Sequence, residues 1–276
     1  MRFMGSKKSI EGCKIVLRGY PFDGTASFKS GQRFAPADIR LNSEGIETYS
    51  PYFDMDIEED ISFYDAKNLN LPFGNTEKAL ELIEKDAKQY FEKGHILFGI
   101  GGEHLVSLPL VKACHSVYPD LHLIHFDAHA DLREDYLGEK LSHATVMRRI
   151  LDFLPVERFH QLYIRSGTRE EFKFMNENKT LKKNPENIVR LIGEKAPVYI
   201  TIDLDVLDPS VFPGTGTPEP GGIDFNTLVD TLSRFKKLNI VGIDFVELSP
   251  DIDNTEISTI TACKLIRECM GVVNGK

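Results

Sequence analysis

The sequence predicts an α/β fold, a three-layer αβα sandwich built on a central parallel sheet. Two observations predict it. Short apolar runs rich in β-branched residues alternate along the chain with longer segments of helical period. Several of those runs are apolar at successive positions, the pattern of strands covered on both faces.

Strands are predicted at residues 14–19, 61–64, 96–100, 121–126, 161–164, 198–202 and 240–245. Helices are predicted between them. The segment 76–92 is the clearest: Thr76 is the candidate cap, and Ala79, Leu80, Leu82, Ile83, Ala87, Tyr90 and Phe91 form an apolar face. Residues 105–117, 143–153 and 259–272 read the same way. A repeated order of strand then helix implies crossovers and a covered sheet. The Pro/Gly-dense stretch 209–222 is too short to divide the chain and reads as a stiff, ordered loop. With no repeat and no linker, residues 1–276 are expected to form a single domain.

Composition narrows the function classes. The chain carries 33 Lys and Arg against 42 Asp and Glu, a formal charge of −9. Such a surface is poorly suited to nucleic-acid backbones and favours cationic partners. No apolar run is long enough to span a membrane, and the first residues lack the apolar segment of a secretion signal. Cys13, Cys114, Cys263 and Cys269 form no Cys-x-x-Cys pair, so reduced thiols are expected in place of a zinc site or disulfides. These features together predict a cytoplasmic protein.

In open α/β sheets, ligands bind beyond the carboxyl ends of the strands. Those ends hold Gly101-Gly102-Glu103-His104, Asp127-Ala128-His129-Ala130-Asp131, Asp203-Leu204-Asp205 and Glu247. On an extended chain, side chains two apart point the same way, so Asp127, His129 and Asp131 converge, as do Asp203 and Asp205. Carboxylates gathered this closely need cations. Carboxylates with two imidazoles suit a hard divalent ion such as Mn²⁺, and six ligands suggest two ions about 3.5 Å apart. His95, His115, His122, His125 and His160 read as core or surface residues.

At these residues the sequence resembles the ureohydrolase family of arginases, agmatinases and guanidinobutyrases. The resemblance runs from Gly19-Tyr-Pro-Phe-Asp-Gly-Thr-Ala-Ser27 and Gly31-Gln-Arg-Phe-Ala-Pro-Ala-Asp-Ile-Arg40 through the Gly-Gly-Glu-His and Asp-Ala-His-Ala-Asp motifs and Ser142-His143. It continues in Thr201-Ile-Asp-Leu-Asp-Val-Leu-Asp-Pro209, Gly214-Thr-Gly-Thr-Pro-Glu-Pro-Gly-Gly222 and Asp244-Phe-Val-Glu-Leu-Ser-Pro250. It implies an eight-stranded sheet, with the strand not yet identified falling in residues 172–191. It also implies two Mn²⁺ ions per subunit. One would be bound by His104, Asp127, Asp131 and Asp203, the other by Asp127, His129, Asp203 and Asp205.

The implied reaction is hydrolysis of a guanidinium by a hydroxide shared between the ions. Asp205 would stabilise or relay a proton, Glu247 would hold the guanidinium in a two-pronged bond, and His143 would shuttle a proton to the departing amine. The loop after the Asp-x-His-x-Asp motif looks like that of agmatinases, so the expected small cationic substrate is agmatine, giving putrescine and urea. Glu134, Asp135 or Glu139 are the candidate receivers of its distal ammonium. Arg133 and Arg165 would suit a carboxylate tail and keep guanidinobutyrate, guanidinopropionate and arginine open. A metal-binding relative without catalysis and a deacetylase are the readings from other classes. The resemblance also implies a homo-oligomer, trimeric or hexameric.

Overall fold

The computed structural model describes residues 1–275. The strands are β1 (Ile15–Gly19), β2 (Tyr49–Ser50), β3 (Met55–Asp56), β4 (Phe63–Asn68), β5 (Ile96–Ile100), β6 (His122–Phe126), β7 (Phe159–Leu162), β8 (Pro197–Asp203) and β9 (Asn239–Val246). The helices are α1 (Ala35–Asn42), α2 (Thr76–Glu92), α3 (Ser107–Val117), α4 (Val146–Ile150), α5 (Arg169–Asn178), α6 (Pro185–Ile192), α7 (Phe225–Ser233) and α8 (Ile257–Asn274). Seven strands form one sheet in the order β4-β1-β5-β9-β8-β6-β7, with every pair parallel. Strands β2 and β3 make a separate antiparallel pair.

Alternate side chains along each central strand enter two separate cores, one per sheet face. On β8, Val198, Ile200 and Ile202 pack with residues of α1, α6, α7 and α8. Tyr199, one position out of phase, packs with α2, α3, α4 and α5 on the other face. This is the sandwich expected from runs that lack polar alternation.

All seven predicted strand segments appear in the main sheet, with ends shifted by a few residues. The eighth does not form. Residues 172–191 fold mostly into α5 and α6, and only Leu181 bridges to Gln161 on the edge strand β7. A capping box explains α5: Glu171 N–H donates to the Thr168 hydroxyl, and the Glu171 carboxylate accepts the Thr168 N–H at 2.7 Å. Asn75, not Thr76, caps α2, accepting the Lys78 N–H at 2.9 Å. Among the described residues no helix is long and apolar enough to cross a membrane.

The 209–222 loop is tied down at both ends. Asp208 N–H reaches the Ile223 carbonyl, and the Asp208 carboxylate accepts from Gly221 and Gly222 N–H.

Candidate metal centre and active-site cavity

Four neighbouring strands, β5, β9, β8 and β6, deliver the predicted residues to one rim of the sheet. After β5 the chain turns through Gly102, where an added Cβ would lie 1.7 Å from the Phe22 carbonyl oxygen. Only glycine permits that approach, which lets Glu103 N–H bond the same carbonyl at 2.7 Å. The turn delivers His104 to a short 3₁₀ segment, His104–Val106. After β9, Glu247 takes a left-handed backbone at φ 69°, and after β6 Asp131 does so at φ 53°. Such conformations cost energy and persist where the surroundings over-determine them, commonly at functional sites.

The six predicted ligands come together. His104 Nδ1 lies 3.2 Å from Asp127 Oδ2, 3.1 Å from Asp131 Oδ2 and 3.2 Å from Asp203 Oδ2. His129 Nδ1 lies 2.9 Å from Asp205 Oδ2 and 3.6 Å from Asp127 Oδ1. The two oxygens of Asp127 therefore face two different histidines.

Hydrogen-bond accounting shows what the cluster needs. The Thr201 hydroxyl donates its single proton to Asp244 at 2.7 Å. His104 Nε2, 3.0 Å from that hydroxyl, must then be the donor to it. In the neutral ring this leaves the Nδ1 lone pair aimed at three carboxylate oxygens. His104 Nδ1 and Asp205 Oδ2 are in fact buried without a hydrogen-bond partner. A cation at that point satisfies all four groups, so the residues fit a divalent ion. Without one, burial opposes a charge on His104, but Asp127, Asp131 and Asp203 outweigh it and raise its pKa well above the ordinary value.

The carboxylates strain against one another in the same way. Burial raises the pKa of Asp203 well above its usual range, and Asp205 and Asp127 raise it further. Burial, then Asp127, raises that of Asp131. Burial also works against the Asp127 charge, yet hydrogen bonds with His104, His125 and His129 hold its pKa well below normal. For His129, burial is overcome by Asp205 and Asp127, and the pKa rises.

His125, read from the sequence as a core or surface residue, is buried and groups closely with His104 and Asp127. Its Nε2 donates to Asp127 Oδ2 at 2.8 Å, and its Nδ1 faces the Gln161 amide nitrogen at 3.3 Å. It orients Asp127 but has no lone pair to spare. Thr201, Asp244 and Gln161 were not singled out from the sequence. Period two would have flagged Thr201 and His125, each two positions before an aspartate.

The cluster forms the floor of a cavity of about 270 Å³ whose walls include His143, Glu247, Tyr136, Arg133 and Glu171. Glu247 is buried; its Oε1 accepts the His104 N–H at 2.6 Å and its Oε2 accepts from Gln32 at 3.1 Å. Burial, then Glu103, raises its pKa, which a cation beside it would offset. Burial lowers the pKa of His143, which favours its neutral ring.

The expected readers of the distal end sort out differently. Arg165 is occupied, donating to the backbone carbonyls of Asp205, Val206 and Glu219. Glu134 is paired with Arg148 and Arg149 outside the cavity. The Asp135 carboxylate accepts the Gly138 N–H within its own turn. The carboxylate in the wall beyond Glu247 and the aspartates is Glu171, and Arg133 stands beside it at 4.0 Å.

Residues 13–271 match the Arginase family. The agmatinase of Bacillus subtilis (strain 168) is 43% identical over 277 residues, covering 97% of this chain and 94% of that protein. The guanidinobutyrase of Pseudomonas aeruginosa is 29% identical, covering 98% and 89%. A solved chain from Clostridium difficile superposes with a TM-score of 0.93 at 45% identity, covering 96% of this chain and 99% of its own.

Proposed function

From the chain's membership of the arginase family, we propose that it hydrolyses the guanidinium of agmatine to putrescine and urea. The observation that carries this reading is the orphaned His104 Nδ1 among three carboxylates, set in a cavity that Glu247 and His143 also line. His104, Asp127, Asp131 and Asp203 would hold one ion, and Asp127, His129, Asp203 and Asp205 the other. The oxygen-rich donor set favours Mn²⁺. When bound, divalent ions there would lower the pKa of a water toward about 7 and so supply hydroxide at neutral pH.

The protein's own groups do the rest. A guanidinium is a delocalised cation and a poor electrophile, so its orientation matters. Glu247 has a free lone pair on each oxygen and presents them as a fork, which fixes the angle at which the central carbon is exposed. Asp205 stabilises the proton of the tetrahedral intermediate. His143 passes a proton to the amine, which cannot leave as an anion. Glu171 attracts the distal ammonium.

Guanidinobutyrate is the second reading, favoured by Arg133 in the same wall, whose charge suits a carboxylate tail. We further propose a cytoplasmic location, from the scattered cysteines and overall composition, and a homo-oligomer, trimeric or hexameric, from the family resemblance. The test is urea release by Mn²⁺-loaded protein from agmatine, arginine, guanidinobutyrate and guanidinopropionate, against a metal-stripped control. Agmatine is expected to dominate. Urea from a guanidino acid alone would reassign the substrate, and none from any of them would favour a metal-binding protein without this activity.

A further inference from the structure

We infer that Glu103 and Thr25 are positioning residues that clamp the His143 ring in one tautomer, with the Nε2 lone pair turned into the cavity. Glu103 follows the Gly-Gly turn, is fully buried, and sits outside the ion-binding cluster. Its carboxylate is spent on the loop after β1: Oε2 accepts the Thr25 N–H at 2.8 Å, and Oε1 accepts the Thr25 hydroxyl. Thr25 then grips the histidine twice. Its hydroxyl oxygen accepts the His143 backbone N–H at 3.2 Å, and its carbonyl oxygen lies 3.0 Å from His143 Nδ1.

The nearer neighbour of Nδ1 is a carbonyl, which only accepts, so Nδ1 carries the proton and the Ser142 hydroxyl oxygen, 3.3 Å away, is a second acceptor. In the neutral ring Nε2 is then an acceptor, and it faces the Ser27 hydroxyl at 3.2 Å. Both Ser27 and His143 line the cavity. The loop after β1 contributes no carboxylate or imidazole to the ion cluster. Its contribution is to join the floor of the site, through Glu103, to a histidine 118 residues away from Thr25. In this tautomer Nε2 accepts the proton released as water adds to the guanidinium carbon and delivers it to the amine as the C–N bond breaks, so no net proton is gained or lost.

The inference rests on the proton-handling role proposed for His143, and the test separates the two. Thr25→Val removes both hydroxyl contacts while keeping the side chain's shape; Thr25→Ser restores them. In Mn²⁺-loaded enzyme, Thr25→Val is expected to lower kcat for agmatine about ten-fold, with KM within about two-fold. Thr25→Ser should recover most of the loss. In a His143→Ala background Thr25→Val should cost nothing more, because the effect runs through the ring. Bound Mn²⁺ should be unchanged in each.

Independently, ¹⁵N NMR of the metal-free protein should show His143 protonated at Nδ1, with that preference weakened in Thr25→Val, where the segment carrying the Thr25 carbonyl loses its hydroxyl tie to Glu103. If this variant misfolds, Glu103→Gln provides the same readouts. Additive losses in the double variant, an unchanged kcat in Thr25→Val, or a proton on Nε2 would each overturn the clamp. A kcat left intact by His143→Ala would instead remove the catalytic role of the histidine, and the NMR tautomer would then decide the clamp alone.

Discussion

The guanidinium carbon of Arg133 lies 5.1 Å from the centroid of the Tyr136 ring, so a cation already occupies the aromatic face in the cavity wall. Its Nε is also 4.0 Å from Glu171 Oε2. A substrate with a distal ammonium must share Tyr136 and Glu171 with this arginine. A substrate with a distal carboxylate gains from it.

Arg133→Ala therefore separates the two substrate types. The side chain is 41% exposed, so solvent screens its charge and the effect is modest. The KM for agmatine should fall about three-fold, and kcat/KM for guanidinobutyrate should fall by a similar factor. Steady-state kinetics on both compounds check this. A rise in the agmatine KM would mean that Arg133 supports the ammonium site through packing.

Thr201→Val tests the contact behind His104. Valine keeps the shape but cannot accept the Nε2 proton or donate to Asp244. Loss of such an outer contact typically costs about 10–100-fold in metal affinity. Titration of the stripped protein with Mn²⁺, followed by calorimetry, should show a drop of that size. Unchanged affinity would remove the Asp244-Thr201-His104 chain from the account of the centre.

Stripping the ions should abolish urea release and lower the melting temperature together. Metal that binds only the folded state stabilises it by mass action, about 2.7 kcal/mol at a hundred times Kd. The gain should vanish in Asp127→Asn, since Asp127 faces both histidines. A melting curve indifferent to Mn²⁺ would contradict the centre.

Acid should destabilise the fold through a histidine that does not line the cavity. Burial lowers the His160 pKa to about 3, with His122 and Lys182 adding to it. Its Nδ1 has no hydrogen-bond partner, and its Nε2 faces His122 Nδ1 at 3.2 Å. Unfolding returns the ring to an ordinary pKa near 6.5, where it takes up a proton below that pH. This stabilising contribution is complete above about pH 6.5 and is lost as pH falls toward about 3, by at most about 1.4 kcal/mol per unit. Urea unfolding of wild type and His160→Gln at pH 7 and pH 5 measures the difference in slope. Parallel slopes would rule this histidine out.

Most of the sheet and all six proposed ligands were legible in the sequence, although one reason for their convergence differs. The expected mechanism was side-chain alternation on extended chain. Instead, Asp205 sits in a 3₁₀ turn, Leu204–Val206, whose N-cap Asp203 accepts the Asp205 N–H at 2.9 Å. Asp131 reaches the cluster through a left-handed residue. Turn geometry replaced alternation and reached the same place. The strand expected in 172–191 failed for a readable reason: Thr168-Arg-Glu-Glu171 is a capping-box sequence and announces a helix. The distal wall was the least legible part. Glu171 looks like any first-turn helix acid, and the fate of Arg165 depends on carbonyls from two distant loops.

The position of β9 bears on how the chain reaches its final form. It lies at the middle of the sheet, between β5 and β8, yet is the last strand along the chain. Without β9 the sheet divides into β4-β1-β5 and β8-β6-β7, each with an unpaired apolar edge. Such edges recruit other chains. A chain in which residues 239–246 have yet to pair would expose both edges and so be prone to association. Closure of the gap by β9 joins the halves and brings Glu247 to the cavity in the same event.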